Sequence, residues 1–166
     1  MGLDHLVSAC AMLASQGYRF SLIIGGSGPL RKELEADIAR YNLTGLVHLV
    51  GRISEEQLPL YYAAADCFVL PTRSLECFGL IVLEAFACGT PVIATPSGSI
   101  AEVMGKSFQS WLTEDTSAEA LANRMRSFVR GELDSKPGSL KRHAEHYSAW
   151  AILPRLQKAL LSINQE

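Results

Sequence analysis

Four short apolar runs punctuate the chain: YRFSLIIGG (Tyr18 to Gly26), LVHLVG (Leu46 to Gly51), DCFVLP (Asp66 to Pro71) and PVIAT (Pro91 to Thr95). Each ends in glycine, proline or threonine, and segments of helical character lie between them. Continuous apolar strands that alternate with helices describe a parallel sheet covered on both faces, because a strand buried on both sides loses its in-out alternation. The expected fold is therefore α/β, a doubly wound Rossmann-like parallel sheet with helices on both faces.

The helical segments carry their own signals. Leu3, Leu6, Val7, Cys10 and Leu13 recur at helical spacing up to Gly17. Pro29 precedes Leu30 to Arg40, and Ser54 to Gln57 has capping-box form ahead of LPLYYAAA, where Pro59 is early enough to bend the helix without abolishing it. A helix from Gly79 to Cys88 stops at Gly89, SIAEVM forms a short helix, and QSWLT (Gln109 to Thr113) is expected as a last strand. From Ser117 onward the pattern is helical, with 147–166 as a terminal helix.

Composition narrows the function. With 166 residues, 48% hydrophobic and 19% charged, the chain fits a single domain spanning 1–166. A net charge of −2 with scattered basic residues gives no stripe for nucleic acid. No apolar run reaches the roughly 18 residues of a membrane span, and the start has no basic flank before an apolar stretch, so a cytoplasmic location is expected. Cys10, Cys67, Cys77 and Cys88 form no C-x-x-C pair, which argues against zinc and disulfides.

Parallel sheets bind ligands at the carboxyl ends of their strands, so the loops after Ile24, Val50, Leu70 and Ala94 should share one rim. The first, GGSGPL, contains Gly28 but has Arg31 where a dinucleotide fingerprint has its third glycine, and it lacks the Gly-Lys-Ser/Thr of a P-loop. A tight turn into a proline-started helix explains it equally well. The loop LECFGLIVLEAFACGTPV, from Leu75 to Val92, is more informative, because Glu76 and Glu84 bracket an otherwise apolar, glycine-punctuated segment. Gly79 permits close backbone approach at a helix start, where free N–H groups and the helix dipole favour a phosphate. Glu84 stands five residues into the helix, about 7.5 Å along its axis, the reach from a diphosphate to a ribose. Satisfaction of Glu84 by a buried arginine or backbone N–H groups remains an equal alternative at this level. Glycoside hydrolysis is disfavoured, since its two carboxyl groups must face across one bond.

The order GSGPL, LVGRIS, YYAAADCFVLPT, Glu76-Cys-Phe-Gly-Leu, then Leu83-Glu84-Ala-Phe-Ala-Cys-Gly-Thr-Pro-Val-Ile-Ala, then SGSIAEVM closely resembles the carboxy-terminal domain of family 4 retaining glycosyltransferases of the GT-B fold. The likeness runs from about Gly2 to about Trp150. It implies a donor-binding domain for a nucleotide-diphosphate sugar, which is a substrate; no cofactor and no metal are implied. Carried over, Glu76 is the catalytic candidate, touching hydroxyls of the donor sugar, and Glu84 binds the ribose. Backbone amides at Phe78, Gly79 and Leu80 hold phosphate or sugar, and Arg52 and Ile53 line the nucleobase. Two departures stand out. The Arg and Lys that family members carry ahead of the first helix are missing, the Lys-Gly pattern appearing here as Met1-Gly2, and the amino-terminal acceptor domain is absent. The resemblance thus implies half an enzyme that needs an amino-terminal GT-B domain or partner subunit, with peripheral membrane association of the intact enzyme allowed. Arg73 is a secondary candidate to replace the missing cations. His143 and His146 are expected as a surface pair, Cys77 as filler, and Glu102 as a residue that orients the rim loop. A non-catalytic GT-B-like interaction module is the rival reading, and a flavodoxin-like regulatory domain fits less well for want of a first strand with its acidic cluster.

Overall fold

Residues 2–74 and 76–163 are described by a computed structural model; Met1, Leu75 and residues 164–166, the end of the expected terminal helix, lie outside the described residues. Helix α1 (Leu3–Ser15) buries Leu6, Val7, Ala9, Cys10 and Leu13, the face that the helical spacing marks. It packs along α6 (Ala118–Val129). Two long-range contacts pin this pair at opposite ends: His5 Nδ1 lies 2.7 Å from the Thr116 carbonyl, and Arg130 Nε donates to the Tyr18 hydroxyl at 2.9 Å.

The strands are β1 (Leu22–Gly25), β2 (Val47–Gly51), β3 (Phe68–Leu70) and β4 (Val92–Ala94). They form two parallel ladders, β1 with β2 and β3 with β4, and Ala94 makes one further parallel bridge to Leu112. The other α-helices of the described residues are α2 (Arg31–Arg40), α3 (Leu58–Ala64), α4 (Leu80–Cys88), α5 (Ile100–Met104), α7 (Pro137–Glu145) and α8 (Ala149–Ile163). Helix α1 packs on α2 and α6, whereas α4 packs on α3 and α7, and both α4 and α6 touch β4. The sheet is thus covered on both faces, and one apolar cluster runs through all of these elements.

Three expectations need correction. Burial on both sides holds fully for β4 but not for β1 and β2, where Ile23 and Val50 are 49% and 43% exposed. Tyr18 to Ser21 precede the strand, because the Tyr18 N–H is used to close α1 on the Leu13 carbonyl. Gln109 to Thr113 do not form a strand either. Lys106–Trp111 is a 3₁₀ helix, and the segment meets the sheet at one point, where Leu112 bridges Ala94 and the Thr113 N–H donates to the Ala94 carbonyl at 2.9 Å. The reason is local: the Gln109 amide donates to the carbonyls of Ala101 and Gly105, folding the segment back, while Trp111 is buried as a core anchor.

Pro59 falls in the first turn of α3 and so starts the helix without bending it. The Ser54 hydroxyl accepts from the Gln57 N–H at 3.3 Å, one half of the expected capping box. Among the described residues no helix is long and apolar enough to cross a membrane. Helix α8 carries Pro154 inside it and leaves Trp150, Leu153, Leu156, Leu160 and Leu161 exposed.

Burial pushes the thiols of Cys10 and Cys67 up to about 12, whereas Cys77 is exposed. Iodoacetamide at pH 8 should therefore label Cys77 while Cys10 and Cys67 resist until the chain unfolds, as mass spectrometry of tryptic peptides will report. Ser117 caps α6 by accepting from the Ala120 N–H at 3.1 Å. Ser117→Ala should cost about 1 kcal/mol in urea unfolding, with an unchanged denaturant slope.

Candidate functional site

The carboxyl ends of the strands bring loops together in two groups. In the first, the Gly26 N–H donates to the Gly51 carbonyl at 2.7 Å, and a Cβ on Gly25 would meet Ile53 Cδ1 at 2.4 Å. Ile53 is thereby folded over the end of β1, Arg52 beside it is exposed, and Gly28 stands in open space. In the second group, the Thr95 hydroxyl donates to the carbonyls of Thr72 and Leu70, tying the exit of β4 to that of β3.

Glu76 sits in this second group. Its Oε1 accepts from the Gly79 N–H at 3.1 Å, so the carboxylate is held at the mouth of α4. Gly79 has φ +75°, a left-handed conformation that favours glycine and turns the chain into the helix. Two residues that the sequence reading did not assign to Glu76 hold its backbone. The Ser99 hydroxyl donates to the Cys77 carbonyl at 2.8 Å, and a Cβ added to Gly98 would lie 2.0 Å from the Glu76 carbonyl oxygen. The Ser-Gly-Ser turn before α5 therefore clamps the Glu76 segment. The glycine was the visible signal, since only a residue without Cβ tolerates such an approach. Glu102, expected to orient this loop, is exposed and its side chain has no hydrogen bond to the loop among the described residues.

Helix α4 buries Val82, Leu83, Ala85 and Phe86. Leu80, Glu84 and Ala87 fall on the other side and are exposed. Glu84 is therefore not a buried carboxylate: its helical period places it on the solvent side, although the average apolarity of the run conceals this. Its hydrogen-bond partner is the Tyr62 hydroxyl, at 3.3 Å, and no arginine neutralises it among the described residues. Burial, then the Glu84 charge, push the Tyr62 phenol well above its ordinary range. The phenol thus stays a proton donor to the carboxylate.

Of the three amides expected to hold phosphate, that of Gly79 is committed to Glu76. Those of Phe78 and Leu80, and that of Ile81, have no hydrogen-bond partner among the described residues. Unpaired N–H groups at a helix start are positive and directional. The Phe78 ring is exposed and meets Tyr147 edge-on, with centroids 6.1 Å apart. Arg73 does not stand free beside this seat; its Nη1 bonds Asp4 Oδ2 of α1 at 3.0 Å, with both groups about half exposed. Of the expected surface pair, His146 is exposed but His143 is half-buried. Its ring packs against Phe86, Phe108 and Tyr147, with Nε2 2.7 Å from the Val103 carbonyl. Among the described residues no cluster of three metal-ligating side chains exists.

The chain as a whole is similar to known proteins. The family model for glycosyl transferases group 1 matches residues 1–147. The amylovoran biosynthesis glycosyltransferase AmsK of Erwinia amylovora is 32% identical over 149 residues, covering 87% of this chain and 37% of that protein. The 2-deoxystreptamine glucosyltransferase of Streptomyces kanamyceticus is also 32% identical, over 75% of this chain and 32% of its own length. Among solved structures, Anabaena Alr3699/HepE in complex with UDP-glucose superposes with a TM-score of 0.79 at 25% identity, over 97% of this chain and 45% of that one. A Rickettsia africae glycosyltransferase, at 20% identity, shares the fold with a TM-score of 0.82, over 99% of this chain and 45% of that one. The chain belongs to the group 1 glycosyl transferases, and its domain has the Rossmann-like fold of the GT-B enzymes. It spans about a third to two fifths of the length of the curated relatives it matches.

Gly98→Ala places a methyl group against the Glu76 carbonyl at a positive φ, so it should displace the Glu76 segment. A loss of about 1–3 kcal/mol is expected in thermal or urea unfolding, with faster amide exchange at Cys77 to Gly79. Undiminished stability and protection would show that the clamp is slack.

Proposed function

We propose that this chain is the donor-binding half of a retaining glycosyltransferase, the carboxy-terminal domain of a GT-B enzyme that transfers a hexosyl group from a nucleotide-diphosphate sugar to a glycan or other acceptor. The observation that carries this reading is the start of α4, where the unpaired amides of Phe78, Leu80 and Ile81 lie between two carboxylates, Glu76 at the mouth and Glu84 one and a half turns in. A diphosphate suits the amides, and the dipole of α4 stabilises the charge that gathers on it as the sugar departs. That step needs no metal and no cofactor.

Glu84 is suited to hold ribose hydroxyls because it is exposed on the same helix and because Tyr62 occupies only part of its accepting capacity. Glu76 lies beyond the helix start and meets the hydroxyls of the transferred sugar. Its bond to Gly79 preorganises it for that contact. Ile53 and Arg52 flank the nucleobase, and Gly28 leaves the neighbouring loop open to it. Likeness to a protein solved with UDP-glucose supports a nucleotide-sugar donor in general terms. The acceptor is assigned to an amino-terminal GT-B domain or partner subunit, and the enzyme is placed in the cytoplasm. The chain by itself then binds donor and transfers little.

Titration calorimetry with UDP-, GDP- and ADP-glucose tests this. At least one should bind, and Glu84→Ala should weaken it about tenfold or more, the worth of hydrogen bonds to a charged acceptor. Glu76→Gln retains an acceptor for the Gly79 N–H, so it should leave the melting temperature nearly unchanged while lowering affinity for the sugar nucleotide more than for the free nucleotide. Binding to none of the three would favour a non-catalytic interaction module, the reading to which the commitment of Arg73 to Asp4 lends weight.

A further inference from the structure

We infer that Tyr62 is a positioning residue for Glu84: its phenol holds one carboxylate oxygen, Oε2, and so fixes the other, Oε1, toward a vicinal diol of the ligand. The inference rests on the donor-binding reading of the same site and adds to it a residue from another helix. It also sets a specificity, for ribonucleoside over 2′-deoxyribonucleoside diphosphates. A carboxylate fixed in one orientation meets both hydroxyls of a ribose together, whereas the deoxy compound offers it only one.

Helix α4 does not orient Glu84 by itself. The side chains three and four residues away, which are its neighbours on the helix surface, are Leu80, Ile81, Ala87 and Cys88. None of them donates a hydrogen bond to the carboxylate among the described residues. An exposed glutamate without a partner samples many rotamers, and a ligand that fixes it must offset that entropy. The Tyr62 hydroxyl, 3.3 Å from Oε2, removes part of this cost before the ligand arrives.

Tyr62 can position another group because it is itself immobilised. It is 5% exposed and stands edge-on to Phe68, with ring centroids 5.3 Å apart. Its carbonyl accepts from the Thr90 hydroxyl at 2.6 Å, and the Thr90 N–H closes α4 on the Ala85 carbonyl at 2.9 Å. One residue of α3 is thus bonded both to the middle of α4 and to the turn that ends it. The phenol has no other hydrogen-bond partner among the described residues, so its direction is given over to Glu84. Held well above its ordinary range, chiefly by burial and next by the Glu84 charge, it keeps its proton at neutral pH and the contact persists.

Tyr62→Phe keeps the ring against Phe68 and deletes only the hydroxyl. Titration calorimetry with UDP, GDP and ADP, each beside its 2′-deoxy form, compares the parent chain with Tyr62→Phe, Glu84→Ala and the double variant, after melting curves have shown each to be folded at the titration temperature. For the nucleotide that binds the parent, Tyr62→Phe should weaken affinity about three- to tenfold and narrow the preference for ribose. The same change should have no further effect once Glu84 is alanine. A packing role alone predicts a loss that persists in the Glu84→Ala background, and that result would overturn the inference. So would parent-like affinity in Tyr62→Phe while Glu84→Ala binds weakly, an outcome that leaves the donor reading standing. Absence of binding to all three by the parent, or full affinity in Glu84→Ala, instead fells the ribose-binding role of Glu84 and this inference with it.

Discussion

Helix α4 has to satisfy two demands with one short run of residues. Val82, Ala85 and Phe86 are fully buried, and that burial locks the rotation of the helix about its axis. Burial stabilises by about 1.5–3 kcal/mol for each of the larger side chains, and together they outweigh the few hydrogen bonds at the rim. Once the rotation is fixed, Leu80 and Glu84 must face outward and the first turn must present its amides to the rim. Because the core sets where the polar groups stand, the site can be assembled from few direct contacts among its own side chains.

Those few contacts are nonetheless specific. The Glu76 carboxylate closes back on Gly79, its carbonyl is abutted by Gly98, and the neighbouring carbonyl of Cys77 takes the Ser99 hydroxyl. The segment is therefore held by backbone approach, the carboxylate–amide bond and a hydroxyl bond, with no ion pair to Glu76 among the described residues. The Arg73–Asp4 pair beside it is half exposed and contributes at most about 1 kcal/mol. A polar loop secured in this way keeps its carboxylate charge available.

Much of this was legible in the sequence because the signals were local. The four strands lie inside the four apolar runs, and Gly89 ends α4 with φ +85° as a glycine after a helix should. The family likeness, carried by Glu76, Phe78, Gly79 and Glu84 in order, named the fold and the group 1 transferases correctly. What failed depended on tertiary partners. Gln109 to Thr113 reads as a strand by composition, yet Gln109 spends its amide on Ala101 and Gly105. His143 reads as a surface residue beside charged neighbours, but its ring is half-buried with Phe86 and Phe108 packed against it. Glu84 seemed buried because hydrophobicity was averaged along the run and not resolved by helical phase.

The α1–α6 contact bears on how the molecule comes together. Each ladder joins strands that are near neighbours in the chain, so either can close at small entropic expense. The His5–Thr116 and Tyr18–Arg130 contacts instead bridge sequence separations of 111 and 112 residues. Zipping those two helices together is the topologically slow event, and a nascent chain still lacking α6 would have only α2 against the apolar side of its first helix until residues 118–129 had emerged.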